Sequence, residues 1–198
     1  MYCVRLKNSI LLTDDNSLCE DLNEMLLNGV NHDLKLKVGD KEFRAHRDIL
    51  RARSQVFKSM LTHDMTEKNS GVIDIPDCDP QAFEQFLSYI YTGKVDSLKE
   101  SNMLHLYYIA DKYDKKELKG ICRDFIKKSL TVNNVCGVIQ LALNHTDSGL
   151  LQYVTEYFKD NTLDIMGTVE WQTFIKENAT AANELMIKSF EKLKNANA

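Results

Sequence analysis

Between His32 and Leu61 the spacing of apolar positions changes period, and the change predicts the elements. Leu34, Leu36 and Val38 alternate with Lys35 and Lys37, the period of a strand with one buried face. Gly39-Asp40 reads as a two-residue hairpin turn of the primed kind, returning the chain through Phe43 and Ala45. From about Arg47 the period lengthens. Ile49 and Leu50, Val56 and Phe57, then Met60 and Leu61 fall on one helical face, with Ser54 placed to cap the second of two short helices.

Upstream, Ser17-Leu18-Cys19-Glu20 has the form of a capping box and predicts a helix from about Leu18 to Leu27. Leu18, Leu22, Met25 and Leu26 lie at i, i+4, i+7 and i+8, one apolar stripe. Such a stripe packs onto its own domain or meets a second copy, and the pattern alone does not choose. Before it, Met1 to Thr13 has strand-like content without a neighbouring partner strand. Downstream, residues 62–69 are polar apart from Met65 and predict a loop. Ile73 and Ile75 mark a strand ending at Pro76, and Asp79-Pro80 is a strong helix start. Phe83, Phe86, Leu87 and Ile90 line that helix up to a stop at Gly93, and Val95 suits a short edge strand.

Helices from about Ser101 to Tyr113 and Glu117 to Lys127 should turn Leu104, Tyr108, Leu118, Ile121, Cys122 and Phe125 inward. From Thr131 the period is helical throughout. Val135, Val138, Ile139 and Ala142 form one stripe, and Leu150, Val154, Tyr157 and Phe158 an antiparallel second. Ile165, Trp171, Phe174 and Ile175 suggest a third helix, and Leu185, Met186, Ser189 and Phe190 a fourth.

Several of these stretches together resemble a known family. Asp33, the KEFRAHRDILRARSQVF block from Lys41 to Phe57, Tyr89-Ile90-Tyr91-Thr92-Gly93 and Ala110-Asp111-Lys112-Tyr113 resemble the BTB/POZ domain, in particular that of the speckle-type POZ (MATH-BTB) proteins. The resemblance implies an α+β fold: a small mixed sheet flanked by helices over residues 18–128, followed by an all-helical BACK-like segment over 129–198. Residues 1–17 then stand as an N-terminal tail, resembling a remnant of a MATH-domain strand in a chain that lacks the rest of that substrate-binding domain.

Function follows from the same resemblance. In that family the helix at 18–27 exchanges contacts between subunits, so Leu18, Leu22, Met25 and Leu26 are candidates for a twofold dimer interface. Burying each would contribute roughly 1.5 to 3 kcal/mol against an association cost of about 4 to 15 kcal/mol, so a dimer needs help from the hairpin surface. Met65-Thr66-Glu67 fits the hydrophobic-x-Glu element of members that bind the Cullin-3 scaffold, an adaptable methionine for an apolar pocket and a glutamate for its rim. Asp33 and Arg47 match an acid and a base that line a charged pocket in the transcription-factor branch, although a structural ion pair is the default for such a pair. The expectation is a homodimeric, non-catalytic adaptor for protein ubiquitination. It would be located in the nucleus or cytoplasm, and could also heterodimerise with MATH-BTB relatives or compete with them. The alternative is a transcriptional or scaffolding BTB protein.

Composition narrows the field further. With 43% apolar and 27% charged residues the 198-residue chain is of globular type. A net charge of −4 supplies no general positive field for nucleic acid. Five widely spaced cysteines point to free thiols in a reducing compartment, and no apolar run approaches the ~18 residues of a membrane span. The five histidines never take zincin spacing, no CxxC occurs, and the glycines form no phosphate-binding loop, so neither metal nor cofactor is expected. His46, at the seam of strand and helix, reads as a hydrogen-bonding structural residue rather than a base, and Cys122 and Cys136 as small core hydrophobes.

Overall fold

A computed structural model describes residues 15–63, 71–95 and 100–196. The elements are α1 (Asp15–Asn28), β1 (Leu34–Val38), β2 (Lys41–Ala45), α2 (Arg47–Arg53), α3 (Gln55–His63), β3 (Val72–Ile75), α4 (Pro80–Thr92), α5 (Glu100–Lys112), α6 (Lys116–Lys128), α7 (Val135–Asn144), α8 (Ser148–Asp160), α9 (Thr162–Met166), α10 (Val169–Glu177) and α11 (Ala179–Ala196). The sheet runs β2-β1-β3, with β1 antiparallel to β2 and parallel to β3. It is therefore mixed, and the class is α+β with a helical C-terminal part, as the pattern and the resemblance predict.

Local chemistry accounts for the boundaries. Gly39 takes φ +57° while Asp40 stays in the negative half, the primed turn that needs positive φ only at its first central residue. Ser54 ends α2 and starts α3: its hydroxyl accepts from the Phe57 amide at 3.4 Å and donates to the Tyr113 carbonyl at 3.2 Å. Asp79 caps α4 through the Gln81 and Ala82 amides at 3.0 and 2.8 Å, Pro80 fills the first turn, and Gly93 closes the helix at φ +71°.

Leu34, Leu36 and Val38 on β1 and Ile73 and Ile75 on β3 are buried against α4 and the aromatic centre of the core. There Tyr113 stacks on Phe57 at 4.6 Å and meets Phe86 at 5.0 Å. The apolar core continues without a break into the helical half, where Trp171 packs between Phe158 and Phe174.

Five local expectations change. The helix α1 begins at Asp15, so Ser17 lies inside its first turn; Asp14, Asp15 and Asn16 are all cap-type residues, and spacing alone did not single out Ser17. Ile121 is 40% exposed, because the inward face of α6 is Leu118, Cys122, Phe125 and Ile126 and Ile121 stands one residue off it. Phe190 is 61% exposed, since α11 turns Ala182, Leu185 and Ser189 inward. The third C-terminal helix is two helices, α9 and α10, broken around Gly167 and Thr168, and Val95 lies outside the three strands. The strand-like stretch from Tyr2 to Leu12 lies outside the described residues.

Candidate protein-interaction site

Helix α1 lies on α4. Leu22 and Leu26 are half-buried against the core, Met25 is partly covered, and Leu18 stands 64% exposed. The stripe named from spacing thus runs from an exposed start at Leu18 to an anchored part at Leu22 and Leu26. Two further apolar residues stay in water at the far end: Leu27 at 75%, on the face of α1 opposite Leu18 by the helical period, and Val30 at 55%, past the last helical residue Asn28. They break the i, i+4 rhythm, so the pattern alone passes over them; an unneeded leucine at the C-terminal end of an amphipathic helix is the only signal. Near the other end of α1, the Cys19 thiol donates to the Thr92 carbonyl at 3.2 Å, a second tie between the helix and the end of α4.

The loop that leaves α1 is fixed from below by His46. Its Nε2–H donates to the Val30 carbonyl at 2.8 Å, its Nδ1 accepts from the Tyr91 hydroxyl at 2.8 Å, and its backbone N–H donates to the same Tyr91 oxygen at 2.9 Å. Both ring nitrogens are engaged, and because the Val30 carbonyl can only accept, Nε2 carries a hydrogen. Burial, partly offset by the bond from the His46 amide, pushes the Tyr91 hydroxyl up to about 12. With these bonds His46 positions the end of α1.

Asp33 and Arg47 meet next to this loop. Asp33 Oδ1 accepts from the Arg47 backbone amide at 2.8 Å, capping α2 from a distance, while the guanidinium Nε stands 4.0 Å from Oδ2. Asp33 is about half exposed and Arg47 mostly covered. The closer contact is the backbone one, and it serves the helix. Met65 and Glu67 lie outside the described residues, between α3 and β3 in the sequence.

Burial pushes the thiols of Cys78, Cys122 and Cys136 up to about 11, 12 and 11, which keeps them protonated and unreactive. Among the described residues no group of three His, Cys, Asp or Glu side chains could hold a metal ion, and no helix is long and apolar enough to cross a membrane.

Residues 22–130 match the BTB/POZ domain. The chain belongs to the BTB/POZ family. It is similar to three mouse proteins: TD and POZ domain-containing protein 4, 32% identical over 181 residues (91% of this chain, 48% of the relative); TD and POZ domain-containing protein 1-like, 33% over 180 residues (90% and 48%); and TD and POZ domain-containing protein 5, 34% over 160 residues (80% and 47%). The chain spans about half the length of the curated relatives it matches. BTB/POZ is a protein–protein interaction domain, generally without catalysis, and family membership gives this chain that interaction role.

Past the matched BTB/POZ residues, a polar joint that sequence reasoning missed ties the helical part to the domain. Asp147, with a side chain 5% exposed, caps α8 through the Leu150 amide at 3.0 Å. The same carboxylate accepts from the Tyr107 hydroxyl on α5 at 2.5 Å and from Arg123 on α6 at 2.7 and 3.0 Å. Burial opposes ionisation of Asp147, but these donors outweigh it and hold the carboxyl below its ordinary range. Beside it Asp111 accepts from Lys119 Nζ and from His145 Nδ1–H, both at 2.6 Å, and its pKa too is lowered against the cost of burial. The His145 ring stands edge-on between Tyr107 and Tyr108. Within His145-Thr146-Asp147-Ser148 the one legible signal was a cap-type Asp; its partners lie 24 and 40 positions away.

Proposed function

We propose that this chain is a non-catalytic BTB adaptor that dimerises through α1 and docks Cullin-3 through Met65 and Glu67, which follow α3 in the sequence, placing a bound protein within reach of a ubiquitin ligase. The observation that carries the reading is that large apolar side chains stay more than half exposed on and just past an anchored helix: Leu18 and Leu27 at the two ends of α1 and Val30 beyond it, while Leu22 and Leu26 hold the helix to the core. BTB domains commonly dimerise and bind Cullin-3, and Met65 and Glu67 are the residues proposed for the cullin. On this reading residues 18–128 form the interaction domain and 129–198 a BACK-like helical extension, the partner subunit is a second copy or a MATH-BTB relative, and the protein works in the nucleus or cytoplasm.

The test is direct binding of the chain to the N-terminal region of Cullin-3, with Met65→Asp and Glu67→Lys as variants. Binding by the parent and its loss in folded variants supports the reading. A parent that does not bind sinks the cullin role, and unchanged binding in both variants sinks the site.

A second reading, a transcriptional scaffold, rests on Asp33 and Arg47. The carboxylate's main bond to the α2 backbone favours a structural role for the pair and leaves this reading the weaker one.

A further inference from the structure

We propose that the groove beside the outer edge of β2 takes a short extended peptide from a partner protein, adding it to the sheet as a fourth strand and favouring an acidic side chain opposite Arg44. The groove shares the C-terminal end of α1, with Leu27, with the proposed dimer surface and shares no residue with the cullin proposal.

The register of the sheet supplies the first argument. Lys35 and Lys37 pair with β3, the Lys35 amide donating to the Gly71 carbonyl at 2.8 Å, so the even residues of β1 turn their backbone groups to β2. Their partners are Lys41, Phe43 and Ala45. By alternation the N–H and C=O groups of Glu42 and Arg44 face away from β1, along an edge that no described strand covers. Such groups are a template for main-chain pairing with an added strand.

The second argument is the shape of what lies beside them. A groove of about 770 Å³ runs along this edge between the C-terminal half of α1 and the outward side of α4, within the size range of ligand sites. Leu26, Phe43 and Leu87 give it an apolar floor, while Asn23, Asn28, Gln81, Gln85 and Ser88 supply amide and hydroxyl groups suited to a peptide backbone. At the end of α1, Gly29 closes on the Arg44 side chain, where an added Cβ would come within 3.0 Å of Arg44 Cδ. Walls and a closed end admit a short strand and exclude edge-to-edge pairing with another sheet.

Charge supplies the third. Both acids of the lining are already engaged, Glu42 with Lys35 at 2.9 Å and Glu84 with Lys41 at 3.8 Å. Arg44 makes no ion pair among the described residues and is exposed in the groove. An acidic residue on the incoming strand, one position from an apolar residue seated over Phe43, meets that cation.

The experiment selects a phage-displayed library of random linear octapeptides against the intact chain and maps the enriched peptides, made synthetically, by amide hydrogen exchange. The expected result is slowed exchange at the Glu42 and Arg44 amides and an acidic position in the consensus. Glu42→Pro removes one outward N–H while sparing the β1–β2 ladder, and should weaken binding at least roughly tenfold. Arg44→Glu should turn the selected consensus basic. The proposal is overturned if no peptide enriches, if enriched peptides protect another segment, or if Glu42→Pro binds them unchanged. It is also overturned if the two amides are already protected in the chain alone, independently of concentration for its own N-terminal residues or rising with concentration for a second copy.

Discussion

Tyr107 on α5 donates its hydroxyl to Asp147 at the start of α8, a contact between residues 40 positions apart that fastens the helical part to the BTB domain. Both groups are buried, and the same carboxylate also receives Arg123 and the Leu150 amide. Replacing Asp147 by Ala strands a buried hydroxyl, a half-covered guanidinium and a helix-start amide together. Breaking such a group costs several kcal/mol, reduced here because Arg123 is about a third exposed. The expected loss is about 2–4 kcal/mol, a fall in Tm of roughly 5–10 °C, read by thermal unfolding. Asp147→Asn, which keeps a cap and an acceptor, should lose about half as much. A loss within about 0.5 kcal/mol for Asp147→Ala would show that the joint is not held by this carboxylate.

Acid should open the same joint. The carboxyls of Asp147 and Asp111 both lie below their ordinary value in the folded chain: burial works against ionisation, and their hydrogen-bond donors and paired cations outweigh it. A depressed folded pKa contributes stability that is complete above the unfolded-chain value of about 3.9 and is lost as pH falls through the folded one. The urea midpoint should therefore drop as pH falls below about 4, and an Asp147→Asn/Asp111→Asn variant should show a shallower drop. Parallel curves for variant and parent would rule out these two groups as the source.

The apolar pattern carried most of the fold and little of this joint. Leu34, Leu36 and Val38 announced a strand because alternation is a local property, and Asp79-Pro80 announced a helix start because capping is settled within three residues. Tyr107 and Arg123 are set against Asp147 by the packing of three helices, and no local rule links them. Leu22 and Leu26 were legible as an apolar stripe, yet the depth to which each sinks depends on α4, and the exposure of Leu27 and Val30 depends on where the chain turns after the helix.

Tyr91 supports that turn through a single oxygen. Tyr91→Phe leaves both the Nδ1 and the backbone N–H of buried His46 without their partner, and an orphaned buried polar group costs about 1–3 kcal/mol. Chemical denaturation should show a loss in that range. The His46 amide should exchange faster with solvent while amides of the helical part keep their protection. An unchanged His46 amide would mean that another group, such as a water, replaces the hydroxyl.

The exposed and the anchoring residues of α1 make separable predictions. Leu18→Asp/Leu27→Asp changes residues that are 64% and 75% exposed, so the monomer should lose less than about 0.5 kcal/mol. If both exposed leucines lie in the dimer interface, two buried carboxylates per subunit there are prohibitive, and light scattering should report a monomer at concentrations where the parent is dimeric. Leu22→Asp acts on the anchoring side, half-buried against the core, and should cost stability in the folded subunit itself, about 1–3 kcal/mol by denaturant titration. A Leu18→Asp/Leu27→Asp variant that stays dimeric would move the interface off the exposed leucines of α1. If the parent proves monomeric at every concentration tried, the exposed leucines belong to a different partner.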